Sequence, residues 1–259
     1  MHCAAPGLPL ALLLLAGCAG GAPRSAVDSR PLLALEPRIG LVLQPAPGDG
    51  PARVVRVTVR IATADGVPLR VVACGPPESA GLLELSVRWQ DFRGDGPVAS
   101  GRSSQVLVPW SGEGLATAEA PCERTAEVSL SVTEGVLARR VQVEGRLIGV
   151  DFERDDGHSG GRLLSLPRAA LDSLAPAPAG LLDEHLQSGR PDGIFLAAAG
   201  APPEWRSMVL DRLVSALPAS RGKAREAIFA ALLWLTGETH GRDVHRWSAW
   251  WSDERNKAR

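Results

Sequence analysis

Apolar and polar residues alternate with a period of two along residues 38–167. In residues 55–61, valine or isoleucine fills every odd position, and arginine or threonine fills every even one. Apolar and polar residues also alternate in residues 83–90, where the odd positions are apolar, and in residues 128–132, where the even positions are apolar. Because successive side chains of a strand point to opposite faces, each run predicts a strand with one buried and one solvated face.

Residues 141–152 change parity part-way along. Their apolar positions are first odd and then even: Val141, Val143, Ile148, Val150 and Phe152. Gly145 and Gly149 lie within the same stretch. A change of buried face beside glycine predicts a β-bulge, or two strands that meet at a bend.

Glycine-containing turns separate the runs, for example at 65–66 and 155–157. Arg93-Gly94-Asp95 spells a cell-adhesion tripeptide, but Asp95-Gly96 supplies turn chemistry and predicts a charged hairpin tip. No helical pattern intervenes. About seven or eight short strands with this spacing predict an antiparallel β-sandwich over residues 38–170.

The period changes to 3.6 after a Pro- and Ala-rich linker at residues 174–178. Residues 220–235 predict a helix with Ser220 as its N-cap and Gly237 just past its end. One apolar stripe runs along this helix: Ala224, Ala227, Ile228, Ala231, Leu232 and Leu235.

Further helices flank this one. Pro202-Pro203-Glu204 opens an earlier helix, whose apolar residues are Trp205, Met208, Val209, Leu213 and Leu217. Asp243 caps a later helix, whose apolar residues are Val244, Trp247, Trp250 and Trp251. We expect these tryptophans to pack in a core, with at least one of the adjacent pair partly exposed. Shorter helices at 181–187 and 194–199 complete a small α-helical domain over residues 179–259.

The amino-terminal apolar run, residues 8–16, is too short to span a bilayer. It ends at Leu15-Ala16-Gly17-Cys18, which resembles the lipobox of bacterial lipoproteins. The resemblance implies that residues 1–17 are a signal peptide and that Cys18 is acylated, with palmitate among the attached chains. Ala19 implies outer-membrane sorting, with the protein facing the periplasm. Because no Lys or Arg precedes the run, an ordinary secretory signal cut after Ala22 stays the alternative.

Residues 18–37 show no sustained period and predict a flexible tether of roughly 25 Å root-mean-square length. The chain has 28 Lys+Arg and 29 Asp+Glu, so it lacks the basic surplus that nucleic-acid binding requires.

Two cysteines remain beside the anchor, Cys74 and Cys122. In an oxidising compartment such a pair predicts a disulfide, which would stabilise by about 4 kcal/mol for a loop of about 48 residues. A metal pair is the weaker interpretation, because no histidine lies near either cysteine in the sequence. The order Cys74, Trp89, Cys122 resembles an immunoglobulin-type core, although Cys122 is expected to precede its strand and the tyrosine of that core is missing.

The helical region resembles HEAT-like repeats. The residues that carry this resemblance are Leu235-Thr236-Gly237-Glu238, Gly241, Trp247 and the pair Trp250-Trp251. It implies at most two helix pairs.

Gly157-His158-Ser159-Gly160-Gly161 resembles the nucleophile elbow of α/β-hydrolases. That elbow needs a strand-to-helix turn above a parallel sheet, and no βαβ pattern surrounds it here. A hairpin loop is therefore favoured. The alternative is an envelope serine hydrolase that uses Ser159, with His158, His185, His240 or His245 as base.

Glu238, His240, Asp243 and His245 form a small acidic and histidine cluster that could accept Zn²⁺. Capping by Asp243 explains that carboxylate without a metal. We therefore predict no metal site, no catalytic residue and no cofactor, and keep metal binding through His240 and His245 as an alternative. The sequence favours a lipid-anchored envelope protein that binds or scaffolds another envelope protein, with the membrane as its second partner.

Overall fold

The computed structural model describes residues 37–48, 50–63, 67–73, 81–94, 96–97, 102–110, 114–117, 120–131, 133–154, 159–160 and 163–257. Strands occupy the first part of the chain and helices follow from residue 182. The mixed β and α class with antiparallel sheets is therefore confirmed. More strands form than predicted, because several of them are only two or three residues long.

The strands are β1 (Arg38–Pro45), β2 (Val54–Ala62), β3 (Leu69–Ala73), β4 (Leu82–Arg93), β5 (Gly96–Pro97), β6 (Arg102–Pro109), β7 (Gly114–Ala116), β8 (Cys122–Ser129), β9 (Ala138–Ile148), β10 (Val150–Glu153), β11 (Ser159–Gly160), β12 (Leu163–Ser165) and β13 (Ala169–Leu174). The described pairings are all antiparallel. They form sheets of order β1-β2-β8, β11-β10-β3-β7 and β12-β9-β4-β5, in which β13 also pairs with β9 and β6 with β4.

The predicted alternation is confirmed where the structure describes it. The odd positions of β2 and β4 are buried: Val55, Val57, Val59, Ile61, Leu83, Leu85, Val87 and Trp89. These side chains join residues of β3, β8, β9 and β10 in one hydrophobic core. All three sheets therefore contribute to the same core.

The predicted bend lies at Gly149, between β9 and β10. Gly149 has φ +63°, a conformation that glycine adopts without steric cost. The chain thereby leaves the sheet of β4 and pairs with β3 instead. Because the bend adds one residue, the buried positions change from odd numbers, such as Val143 and Leu147, to even numbers, Val150 and Phe152.

The prediction for Cys122 was wrong. Cys122 is the first residue of β8 and pairs with Ile61, whereas we expected it to precede its strand. β8 ends at Ser129, so the expected continuation of the strand to residue 132 does not form. Leu130 is still buried, and its N–H donates to the carbonyl of Arg53, which holds the chain beside β2. Val132 lies outside the described residues.

The helices are α1 (Leu182–Ser188), α2 (Pro191–Ala199), α3 (Arg206–Ala216), α4 (Gly222–Thr236) and α5 (Val244–Lys257), and a 3-10 turn at Pro203–Trp205 precedes α3. The Asp243 cap is confirmed, because its Oδ1 accepts from the N–H groups of His245 and Arg246 at 2.9 and 3.1 Å. The Ser220 cap was wrong: Arg221 is the N-cap, and the Ser220 hydroxyl donates to the carbonyl of Ala216 in α3.

Two residues expected on the buried side of α3 are exposed, namely Trp205 and Met208. The 3-10 turn places Trp205 before the α-helix begins, so the stripe of α3 starts at Val209. Val209, Leu213 and Leu217 are buried as predicted.

The helices pack against one end of the sheet formed by β4 and β9. Phe92 of β4 and Ala138 of β9 are fully buried in the helical core. The Phe92 ring lies 6.0 Å from Phe195 of α2 and 5.0 Å from Trp234 of α4, between ring centroids. The described residues all belong to one compact unit. Separate domains over residues 38–170 and 179–259 stay a prediction.

Within the part of the chain that the structure describes, no helix combines the length and apolar character needed to cross a bilayer.

Candidate functional site

Ser159 lies in β11, the returning strand of a hairpin, and pairs with Glu153 of β10. The next described element is β12, which is also a strand. A nucleophile elbow instead needs a parallel strand that turns directly into a helix. The described backbone around Ser159 therefore lacks the geometry of an elbow. His158 lies outside the described residues.

The structure brings His240 to the tryptophans of α5. The His240 ring lies 4.7 Å from Trp247, almost perpendicular to it, and 5.7 Å from Trp250. His245 lies on the exposed side of α5, and the Asp243 carboxylate is occupied by its capping hydrogen bonds. No group of three or more metal-ligating side chains is present among the described residues. The His240 ring thus packs against the tryptophans of α5.

The three tryptophans of α5 take the predicted places. Trp247 and Trp251 are buried, and Trp250 is partly exposed. The Trp251 Nε1 donates to Asp211 Oδ1 of α3 at 2.6 Å, which fixes α5 against α3. These residues form part of the helical core rather than a ligand-stacking surface.

Cys122 is buried and has a free thiol. Burial raises the pKa of this thiol, and the positive charge of Arg124 opposes the rise only in part. The thiol is therefore a poor nucleophile, because only the thiolate attacks. Cys74 and Cys18 lie outside the described residues, so the predicted disulfide partner of Cys122 and the predicted acylation site are not described.

A buried ion pair that the sequence patterns did not predict holds the helix-proximal end of the sheets together. The Arg139 guanidinium contacts both oxygens of Asp91, at 2.6 and 3.1 Å, and both side chains are at most 4% exposed. Arg139 also donates to the carbonyls of Ala52 at 2.6 Å and Ser131 at 2.9 Å. One side chain thus ties β4, β9 and the segments next to β2 and β8.

The sequence does carry a signal for this pair. Asp91 continues the odd, buried parity of Leu85, Val87 and Trp89, and Arg139 shares the odd parity of Val141. Two opposite charges at buried strand positions indicate an internal ion pair, since a buried charge needs a partner.

A cleft of about 470 Å³ lies where the sheets meet the helices. Its charged lining residues come from four places: Arg93 at the end of β4, Glu134 before β9, Asp192 in the first turn of α2 and Lys223 in the first turn of α4. Gly94 of the β4–β5 turn lies against Asp192, where a Cβ atom would collide with the carboxylate. The absence of a side chain at Gly94 therefore lets the hairpin approach α2.

A second cavity, of about 300 Å³, lies on the outer face of β4 and β9. Its charges pair with one another: Arg146 with Glu84, and Arg168 with Glu144. Such exposed pairs are worth about 0–1 kcal/mol each and leave little charge unsatisfied. The cleft between the sheets and the helices is therefore the stronger candidate for ligand binding.

The chain enters the fold far from that cleft. Arg38, the first residue of β1, pairs with Ala62 at one end of β2. At the other end of β2, the Ala52 N–H donates to the Ser173 hydroxyl, next to the residues that contact the helices. The nine residues of β2 span about 26 Å at about 3.3 Å per residue. The start of β1 and the helices thus lie at opposite ends of the strands.

Comparison with known proteins gives no family. No family model matches the chain, and no curated protein matches it. Solved structures match weakly. The ApaA protein from Bordetella pertussis has 14% identity and a TM-score of 0.30, over 57% of this chain and 100% of its own.

The structural-genomics target SoR45 has 8% identity and a TM-score of 0.28, over 57% of this chain and 94% of its own. The sporulation control protein Spo0M from Bacillus subtilis has 12% identity and a TM-score of 0.23, over 59% of this chain and 54% of its own. We infer neither fold nor function from likeness at this level.

Proposed function

We propose that this protein is a lipid-anchored component of a bacterial cell envelope that binds or scaffolds another envelope protein and catalyses no reaction. The observation that carries the proposal is Leu15-Ala16-Gly17-Cys18, the lipobox-like sequence after a short apolar run. Acylation of Cys18 attaches the protein to the membrane, most simply the periplasmic face of the outer membrane. The anchor raises the effective concentration of the protein near its partners there.

The placement of the elements supports this proposal. The predicted tether, residues 18–37, would precede β1, whose first residue lies at the end of the sheets remote from the helices. We propose that the partner of the protein meets the helical end, which lies away from the start of β1.

For the finer fold we propose an immunoglobulin-like sandwich followed by a HEAT-like helical domain. The shared core of the three sheets supports the sandwich. The packing of α1 on α2 and of α3 on α4 supports helix pairs, and the packing of α2 on α4 supports their stacking.

Replacement of Cys18 tests the anchor. We expect the Cys18→Ala protein, expressed in a Gram-negative host, to lose the added hydrocarbon mass that the mature wild-type protein carries. The reason is that the thiol forms the thioether to the lipid. Intact-mass spectrometry of the membrane fraction measures this change.

The matched control is Cys3→Ala, because the other cysteine of the amino-terminal region leaves with the signal peptide. It should keep the acyl mass. A mature wild-type protein that begins at Pro23 without added lipid would contradict the proposal and favour the ordinary secretory signal.

We further propose that Cys74 and Cys122 form a disulfide after export. Cys122 Sγ lies against Gly114 of β7, and β7 pairs with β3, whose last residue, Ala73, directly precedes Cys74. In the reduced protein, burial and the raised pKa keep Cys122 unreactive in the native state. Its oxidation state must therefore be measured on unfolded chains.

When the exported protein is unfolded in denaturant without reductant, we expect iodoacetamide to leave Cys122 unmodified. After reduction, both Cys74 and Cys122 should be alkylated. Peptide mass spectrometry reads both states, and the Cys74→Ala protein is the control in which Cys122 is alkylated without reduction. Full alkylation of Cys122 in the unreduced wild-type protein would contradict the disulfide.

A further inference from the structure

Four charged side chains line the cleft between the sheets and the helices without an ion pair to any described residue. Two are cations, Arg93 and Lys223, and two are carboxylates, Glu134 and Asp192. Charged groups on the outer face of the same sheet do pair with one another. The cleft thus holds opposite charges that the fold leaves available to a ligand.

Arg93 has an unsatisfied donor. Its Nε is buried and has no hydrogen-bond partner, although Arg93 as a whole is only partly buried. A buried N–H without an acceptor is unfavourable, and native structures satisfy nearly all such groups. Because this Nε is buried, a ligand in the cleft contacts the accessible part of the Arg93 side chain instead.

The helix ends add to the positive charge. The first N–H groups of a helix have no acceptor within the helix, and they carry a partial positive charge. In α2 the Asp192 carboxylate lies in the first turn and offsets that charge. In α4 the first turn has no acidic residue and no side-chain cap, and it contains Lys223.

We propose that the cleft binds an amino-acid-type zwitterion, a free amino acid or a short peptide with both termini charged. The ligand carboxylate accepts from Arg93 and Lys223, and the ligand ammonium donates to Glu134 and Asp192. A simple anion would contact only Arg93 and Lys223, and a simple cation only Glu134 and Asp192, whereas a zwitterion contacts both pairs. The cleft volume of about 470 Å³ fits a small ligand. This binding is independent of acylation at Cys18 and goes beyond the proposed anchoring.

The test compares three probes by isothermal titration calorimetry on the purified full-length chain. Alanyl-alanine carries both charges, N-acetylalanine carries only the carboxylate, and alaninamide carries only the ammonium. We expect alanyl-alanine to bind at least tenfold more tightly than either singly charged probe. Loss of one charge-assisted contact, in Lys223→Gln or Arg93→Gln, should weaken alanyl-alanine roughly tenfold to a hundredfold.

Arg168→Gln is the matched control, because Arg168 lies in the cavity on the outer face of the sheet. The Arg168→Gln protein should bind alanyl-alanine with the affinity of the wild type. Lys223 is exposed, so its replacement keeps the fold even if Arg93→Gln does not. Equal affinity for N-acetylalanine and alanyl-alanine would overturn the zwitterion proposal. The proposal would also be overturned if alanyl-alanine did not bind, or if Lys223→Gln bound it with unchanged affinity. Because the intact mass reports acylation separately, each of these results leaves the anchoring proposal standing.

Discussion

The Arg139→Met protein is expected to be about 3–5 kcal/mol less stable than the wild type. Methionine fills much of the same volume, but it leaves the Asp91 carboxylate buried without its partner. The carbonyls of Ala52 and Ser131 lose their donor as well. Urea unfolding followed by tryptophan fluorescence measures the free energy of unfolding, and the loss should show as a lower midpoint.

The matched control is Arg88→Met, which removes an exposed pair with Glu144 and should cost at most about 1 kcal/mol. The double variant with Asp91→Leu and Arg139→Met should lose less than Arg139→Met alone, because no unpaired charge stays buried. An Arg139→Met protein as stable as Arg88→Met would show that water reaches this pair and that it does not hold the sheets together.

The Phe92→Ala protein should lose about 3–5 kcal/mol, and the loss should concentrate in the helices. Phe92 belongs to β4, yet its ring is fully buried between Phe195 and Trp234. Its removal leaves a cavity at the contact between the sheets and the helices. Hydrogen exchange should therefore become faster in α2 and α4 than in β2.

Phe152→Ala is the control with the same change of side chain. Phe152 is equally buried, but it lies in the core of the sheets. Its replacement should speed exchange in the strands first. If both variants gave the same exchange pattern, the two cores would unfold as one unit and Phe92 would have no special role at the contact.

Local patterns were enough to predict the five described helices and the three longest described strands, β2, β4 and β9. The period of two identified β2 and β4, and the parity change beside Gly149 identified the bend, because both follow from which face of a strand is buried. The helices and the Asp243 cap followed from the 3.6 period and from capping chemistry. The errors at Ser220 and Trp205 lie at helix ends, where a backbone carbonyl or a 3-10 turn competes with the expected cap.

The candidate site was harder to predict, because it depends on contacts between residues distant in sequence. Arg93, Glu134, Asp192 and Lys223 come from four separate places in the chain, and the Arg93-Gly94-Asp95 tripeptide predicted only a charged hairpin tip. The Arg139–Asp91 pair could have been predicted, because both residues lie at strand positions whose side chains point to the buried face. The contact of Phe92 with two helices could not be predicted from the period of apolar residues. That period indicates which side chains are buried but does not indicate what they pack against.

The position of Arg38 has a mechanical consequence. If the acylated end is fixed and a partner pulls on the helices, the force runs along the strands, since the two attachment points lie at opposite ends of β2. The hydrogen bonds of the eight paired residues of β1 then share the force, so they must break together rather than one after another. A molecule loaded in this direction should withstand greater tension than one pulled sideways from the same strand.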